Sequence, residues 1–219
     1  MKTDSEIQSD VLQELLCDPS VTHEHIGVAV TSGIVTLSGK VPSFAEKFAA
    51  EKAAQRIASV KAIVENIEVK LPSIYHRDDE DIAQAIVNQF KWSVQIPDTK
   101  IKTKVEKGWI TLKGDLDWEF QRRAAERLVC SITGVRGVSN DLTIGAKKIE
   151  SANVKQKIEE ALKREAKREA DKISVDVTGS RVTLKGSVKS FAEMDDAKWA
   201  AWCVPGVTNV ENLLQISRL

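Results

Sequence analysis

The sequence predicts an α+β chain of three tandem αββαβ repeats, each a three-stranded mixed sheet with two helices on one face. Three observations carry this. Gly33-Ile-Val-Thr-Leu-Ser-Gly39, Gly108-Trp-Ile-Thr-Leu-Lys-Gly114 and Ser180-Arg-Val-Thr-Leu-Lys-Gly186 echo one another at spacings of 75 and 72 residues. The same offsets align residues 7–69, 82–144 and 154–216 without a gap. Within each aligned stretch the apolar period changes from four to two, as it does where a helix gives way to strands. The repeats are bounded at 1–72, 76–146 and 149–219.

The first helix of each repeat is read from Ile7/Ile82/Val154, Val11/Ile86/Ile158 and Leu15/Phe90/Leu162, one apolar stripe in a polar background. Spacing by two then sets in at Ile26/Ile101/Ile173, Val28/Thr103/Val175 and Val30/Val105/Val177. A short turn leads to a second strand with Val35/Ile110/Val182 and Leu37/Leu112/Leu184 inward, so the two strands form an antiparallel hairpin. The second helix follows Gly39, Gly114 and Gly186. Ser43-Phe-Ala-Glu46 and Ser190-Phe-Ala-Glu193 read as capping boxes, and the middle repeat, which lacks one, is expected to start its helix from Asp117. Its stripe, Ala50/Ala125/Ala197, Ala53/Leu128/Ala200 and Ile57/Ile132/Val204, is mostly alanine and predicts close approach to the sheet. Val60/Val135/Val207, Ile63/Val138/Val210, Ile67/Leu142/Leu214 and Val69/Ile144/Ile216 mark a third strand, parallel to the second through a right-handed crossover.

Composition narrows the function. With 42% hydrophobic and 29% charged residues in 219, the chain is neither a disordered tail nor a fibre. Its 32 basic and 32 acidic residues cancel, so attraction to nucleic acid or an anionic membrane must come from a local patch. Divided at residues 72 and 146, the repeats carry −3, 0 and +3. No apolar run approaches the roughly 18 to 20 residues of a membrane span, and MKTDSEIQSD has no apolar signal region behind it. The expectation is a cytoplasmic protein, peripheral to the inner membrane where it meets one, and periplasmic only where a leader precedes this sequence. Cys17, Cys130 and Cys203 show no paired spacing, which predicts free thiols.

A family resemblance rests on the closing motif of each repeat. Gly-x-Val-Thr-Leu-x-Gly followed by a helix and then Gly134-Val-Arg-Gly-Val-Ser-Asn-Asp-Leu-Thr-Ile144, or Gly206-Val-Thr-Asn-Val-Glu-Asn-Leu-Leu-Gln-Ile216, resembles the BON domain. The first repeat departs from it, with Ser59 in place of the leading glycine and Asn66 one place late. The resemblance covers almost the entire chain. It implies a non-enzymatic module of osmotic-stress or envelope physiology that contacts phospholipid or membrane-associated partners. Gly33, Gly39, Gly108, Gly114, Gly134, Gly179, Gly186 and Gly206 read as structural residues of turns.

The candidate binding residues come from comparing repeats. Trp92 aligns with Cys17 and Arg164, Trp109 with Ile34 and Arg181, Trp118 with Ser43 and Ser190, Trp199 with Lys52 and Arg127, and Trp202 with Gln55 and Cys130. Each position takes a polar residue in another repeat, so none is expected in the core of its own unit. The five indoles are half-exposed on this reading, covering either a neighbouring repeat or a lipid or protein partner. Alternation in the middle repeat turns Lys102 and Lys104 outward on the same face as Trp109, Thr111 and Lys113. An indole among lysines suits an anionic phospholipid interface. The rival reading is a solvated face with Trp109 docked on a neighbouring repeat, and with it a cytoplasmic protein-interaction adaptor without lipid affinity. Self-association of like chains stays open.

Other motifs are weaker. Gly134-Val-Arg-Gly137 matches the GxxG of KH domains, but it joins a helix to a strand and its counterparts lack the second glycine, so no nucleic acid is expected. The segment Val154–Ala170, with Glu159/Lys163 and Glu160/Arg164 at i,i+4, reads as a solvated helix before a membrane-surface one. His23-Glu24-His25 lacks a third ligand, and Asp78-Asp-Glu-Asp81 sits where a helix N-terminus favours acids. No nucleophile elbow, P-loop or dinucleotide fingerprint occurs, so neither catalysis nor a cofactor or metal is expected.

Overall fold

The computed structural model of the protein describes residues 2–145, 158 and 173–217. The first unit begins with α1 (Asp4–Cys17), which buries Ile7, Val11 and Leu15. Thr3 Oγ accepts from the Glu6 N–H while Glu6 accepts from the Thr3 N–H, a closed capping box at the start of α1. The hairpin β1 (Ile26–Thr31) and β2 (Ile34–Val41) turns through Ser32 and Gly33, both at positive φ, as a two-residue primed turn requires. The Asp4 carboxylate accepts from the N–H groups of both turn residues, at 2.7 and 2.9 Å, and so ties the helix start to the hairpin. The crossover helix α2 (Phe44–Arg56) leads to β3 (Ala62–Val69). The sheet order is β1-β2-β3, with the first pair antiparallel and the second parallel.

The second unit repeats this plan with α3 (Asp79–Trp92), β4 (Lys102–Glu106), β5 (Trp109–Leu116), α4 (Glu119–Cys130) and β6 (Gly137–Ile144). Asp79 plays the part of Asp4, accepting from the Lys107 and Gly108 N–H groups at 2.7 and 2.8 Å. In the third unit β7 (Ile173–Thr178), β8 (Arg181–Val188), α5 (Phe191–Trp202) and β9 (Asn209–Ile216) form the same mixed sheet. Ile158 is buried in its core, while the rest of the predicted helix Val154–Ala170 lies outside the described residues.

The inward positions are those the repeats predict. Val35 and Leu37, Ile110 and Leu112, and Val182 and Leu184 are fully buried, each worth about 2 kcal/mol relative to exposure. In the first two units the glycine before the crossover is required by a close approach. A Cβ on Gly39 would lie 2.0 Å from the His25 carbonyl oxygen, and one on Gly114 2.0 Å from that of Lys100. No side chain fits there.

The helix starts differ from expectation. Ser43 and Ser190 do accept from the N–H of Glu46 and Glu193, but neither box closes. Glu46 is buried and accepts instead from the Thr22 N–H at 2.6 Å, because the loop after α1 crosses this point. Glu193 reaches past the cap to the Lys189 N–H. In α4 the cap is Trp118, one residue after Asp117, and Gln121 Oε1 accepts from the N–H groups of both.

The units close into a ring. Phe44, at the start of α2, packs on the core of the second unit; Phe191, at the equivalent position in α5, packs on the core of the first. Trp118, at the start of α4, lines a crevice with Trp202, Gly206, Val207 and Thr208 of the third. Each unit therefore offers the start of its second helix to the next, and the third returns to the first. Head-to-tail contacts of this kind close only when the rotation per step completes a circle. The third-to-first junction also carries a Lys52–Asp195 ion pair (3.2 Å) and a hydrogen bond from the Ser59 N–H to the Lys189 carbonyl (3.0 Å). Ser59 itself holds φ +71, where the aligned Gly134 and Gly206 hold +96 and +92. The left-handed conformation is kept although the glycine is not.

Candidate functional site

Among the described residues each sheet carries its helical packing on one side and leaves the other face open, and the three open faces differ. On the second unit the register places Lys102 opposite Lys113, Lys104 opposite Thr111 and Glu106 opposite Trp109. β6 adds Asp141, Ser139 and Gly137 beside Lys113, Thr111 and Trp109. The four residues Lys102, Lys104, Trp109 and Lys113 thus share one face. They do not make it strongly cationic: Lys104 is ion-paired with Glu106 at 2.8 Å, a contact that raises its pKa, and Asp141 lies next to Lys113. Among the described residues Lys102 and Lys113 make no ion pair, although like charges directly opposite on a sheet repel.

Trp109 lies flat on its own sheet. A Cβ at Gly137 would be 2.3 Å from the indole ring, and Nε1 donates to Ser139 Oγ at 2.9 Å. Trp109 remains half exposed (51%), and among the described residues it joins none of the three core clusters. The pair at this place is Ile34 beside Ala62 in the first unit and Arg181 beside Asn209 in the third. The second glycine of Gly134-Val-Arg-Gly137 is thereby explained as the seat of an indole.

The hairpin end beside Trp109 carries charges that outward alternation alone did not select. Arg77, Lys107 and Arg136 line an open cleft of about 400 Å³ together with Leu71, His76, Asp78 and the Gly108 and Gly134 backbone. Arg77 Nη1 donates to the Ile74 and His76 carbonyls. The signal for this group was the turn register: residues 107 and 136 follow from the alignment, but Arg77 precedes the aligned stretch 82–144.

The other tryptophans divide into two groups. Trp92, at the C-terminal end of α3, is 88% exposed, and Val94 after it is fully exposed. Trp118, Trp199 and Trp202 instead fill the junction of the second and third units. Arg123 stands 4.7 Å from the Trp199 ring and Arg122 5.6 Å from that of Trp202, cation–π distances. Trp202 is buried (9% exposed) and belongs to the core of the third unit, contrary to the expectation that none of the five would. Its position tolerates Gln55 because the neighbour that covers it differs at each junction.

Where α2 and α4 approach, burial pushes the Cys130 thiol up to about 12, with Glu126 and Glu51 adding to the shift. Such a thiol is inert as a nucleophile. Burial, followed by the nearby Glu65 carboxylate, likewise raises Glu51. His23 and His25 lie in a 3₁₀ turn, and among the described residues no group of three or more His, Cys, Asp or Glu side chains could hold a metal. Asp78 stands at the N-cap position of α3 without a side-chain cap hydrogen bond, and Asp79, Glu80 and Asp81 fill the first turn, as an N-terminus favours. Among the described residues no helix is long and apolar enough to cross a membrane.

Comparison with known proteins bears on the whole chain. The family model of the BON domain matches residues 3–70, 78–146 and 150–218. The Osmotically-inducible protein Y of Escherichia coli (strain K12) is 27% identical over 143 residues, 64% of this chain and 71% of that protein. Two solved structures of CdsD, a structural protein of the Type III secretion system of Chlamydia trachomatis, align at 17% and 16% identity. The first covers 94% of this chain and 90% of its own, with a TM-score of 0.27; the second, a C-terminal domain, covers 99% and 100%, with 0.26. Scores this low carry no structural argument. The three family matches do bear on the chain, because each spans one repeat and together they take in nearly every residue: the chain belongs to the BON domain family.

Proposed function

We propose that this protein is a non-enzymatic binding and scaffold protein of osmotic-stress or envelope physiology that docks on anionic phospholipid through its second unit. The similarity to an osmotically inducible protein supports the physiological part. The observation that carries the docking is Trp109: half-exposed, held flat by Gly137 and Ser139, on the same sheet face as Lys102, Lys104 and Lys113, and directly after the turn whose Lys107 lines a cleft with Arg136. An indole edged by cations partitions to the headgroup level, where its ring meets apolar chain and each basic side chain near the surface contributes about 1 kcal/mol. Trp92 and Val94 offer a second apolar projection on the same unit.

Co-sedimentation with vesicles containing anionic phosphatidylglycerol tests this. Wild type is expected to sediment at low salt, Trp109→Ala and Lys102→Glu/Lys104→Glu to sediment less, and neutral vesicles to capture neither. Absence of wild-type binding at low salt removes the lipid reading. One observation favours a protein partner instead: the open face of the first unit exposes Ile34 (41%) and Val64 (42%) in adjoining strands, with no charge between them. If Ile34→Asp abolishes partner capture while vesicles are ignored, the adaptor reading holds.

A further inference from the structure

We infer that the cleft at the hairpin end of the second unit is an oxyanion site that takes a phosphate group, with Arg136 and Lys107 as its principal ligands. Equivalent positions in the three units provide the internal comparison. At the place of Arg136 the first unit has Lys61, whose stem lies against Gly33 and whose Nζ donates to the Ser32 carbonyl at 2.7 Å. The third unit has Thr208, whose hydroxyl donates to Ser180 at 2.8 Å. Both side chains are satisfied within their own turn. Among the described residues the Arg136 guanidinium has no hydrogen-bond or ion-pair partner, although its stem lies along Gly108 as the Lys61 stem lies along Gly33. The ammonium of Lys107, in the turn itself, has none there either; its counterpart in the first unit is Ser32.

The surroundings are arranged to keep these cations free. The Asp79 carboxylate, which also lines the cleft, has one oxygen on the Lys107 N–H and the other on the Gly108 N–H, both backbone donors. Arg77 is fixed by the Ile74 and His76 carbonyls, and its stem rests on Gly134, where a Cβ would meet it at 2.9 Å. Two arginines and a lysine therefore border an open cleft of about 400 Å³. Asp78 is the single carboxylate in the lining that no hydrogen bond occupies, and it is the competitor of an incoming anion. A guanidinium with its fork free suits phosphate, which it can hold bidentately. The inference goes beyond the membrane reading and stands without it, since the phosphate can belong to a lipid headgroup or to a soluble phosphate compound.

The test is a titration of the full chain, followed by the amide resonances of Gly108, Gly134 and Arg136 and the Trp109 indole N–H. The probes are inorganic phosphate and dihexanoyl phosphatidylglycerol below its micelle concentration, with chloride as the ionic-strength control. Saturable shifts at these four resonances are expected with phosphate and not with chloride. Lys107→Gln/Arg136→Gln should weaken the response about tenfold, the scale of losing charge-assisted hydrogen bonds, and Asp78→Asn should strengthen it severalfold. All three residues are exposed, so unchanged resonances elsewhere verify the fold. A response to phosphate alone upholds the cleft and counts against a lipid headgroup; a response to both upholds the cleft with a headgroup as its ligand. No saturable shift with either probe, or an undiminished one in the double variant, overturns the proposal. So does a response to lipid alone that falls on Trp109 and Lys102 and spares Gly108 and Arg136, an outcome that leaves the membrane reading intact.

Discussion

The first and second units are built on the same backbone and put it to different use. Inward they agree: Val35 and Leu37 stand where Ile110 and Leu112 do, Asp4 holds its hairpin as Asp79 does, and Gly39 and Gly114 meet equivalent carbonyls, of His25 and Lys100. Outward they part. Ile34 over Ala62 becomes Trp109 over Gly137, and a lysine folded back on its own turn becomes an arginine whose guanidinium has no partner among the described residues. The helix side of the sheet answers to the fold, and the open side is free to take on a ligand. Four experiments probe that division, beginning with the positions the units share.

The largest effect is expected at Gly39 and Gly114. An added Cβ meets a backbone carbonyl at 2.0 Å in either unit, at φ +138 and +151. Clash and left-handed strain together should cost about 3 kcal/mol or more for Gly39→Ala and for Gly114→Ala alike. Denaturant melts of the two variants would break the comparison if one were tolerated and the other not. Next comes the ring. Phe191→Ala removes a partly buried ring from the core of the first unit, and about 2 kcal/mol is expected, below the value for a fully buried phenylalanine. A junction of real consequence should also reveal itself as a separate early transition of the first unit in the thermal melt.

These junctions were the least legible part of the molecule. The gap-free alignment identified strands, crossover and nearly every inward residue, because each unit's core is filled from its own sequence. It could not find the ring, since contacts such as Lys52–Asp195 and Ser59–Lys189 join positions that do not align with each other. Trp202 was misplaced for the same reason. Tolerance of Gln55 at that position reflects a different neighbour and not exposure. Glu46 failed as a capping residue because the Thr22 N–H, distant in sequence, needed an acceptor more. At the candidate site, the alternation of β4 and β5 found Lys102, Lys104, Trp109 and Lys113, yet the acids Glu106 and Asp141 that balance them went uncounted. The Asn140 of the family motif, which has no counterpart in the first unit, accepts from the Leu142 N–H at 3.3 Å, and Asn212 does the same for Leu214 at 3.1 Å. In the first unit Glu65 stands there and pairs with Lys47 at 3.4 Å.

The open face is tested by Gly137→Ala. The methyl would occupy the space of the indole ring, so Trp109 must swing off the sheet and lose its bond to Ser139. Because the ring can move where a carbonyl cannot, the expected cost is only about 1 kcal/mol, the worth of one hydrogen bond. Each of the five tryptophans has its own indole N–H resonance, so the one that shifts and gains solvent exchange identifies Trp109 directly. If that resonance were unmoved, the seating of Trp109 by Gly137 would be wrong, and with it the contrast to Ile34 over Ala62.

The smallest effect concerns the ground between the two units. Glu51 of α2 is raised by burial first, then by Glu65 and more weakly by Glu126, its aligned counterpart on α4, with Lys52 and Lys47 opposing. A carboxyl raised in the folded state binds its proton more tightly there than in the unfolded chain. Its contribution to stability is therefore fully present below the unfolded value of 4.5 and is lost as pH rises through the folded one. Glu51→Gln should remove this loss: the variant melts at a slightly higher temperature than wild type at pH 7, and the two converge as the pH falls toward 4.5. Coincident melting of wild type and Glu51→Gln at pH 7 would mean that the buried carboxylate has found water or a cation, and that the first and second units meet less closely along their crossover helices than the geometry describes.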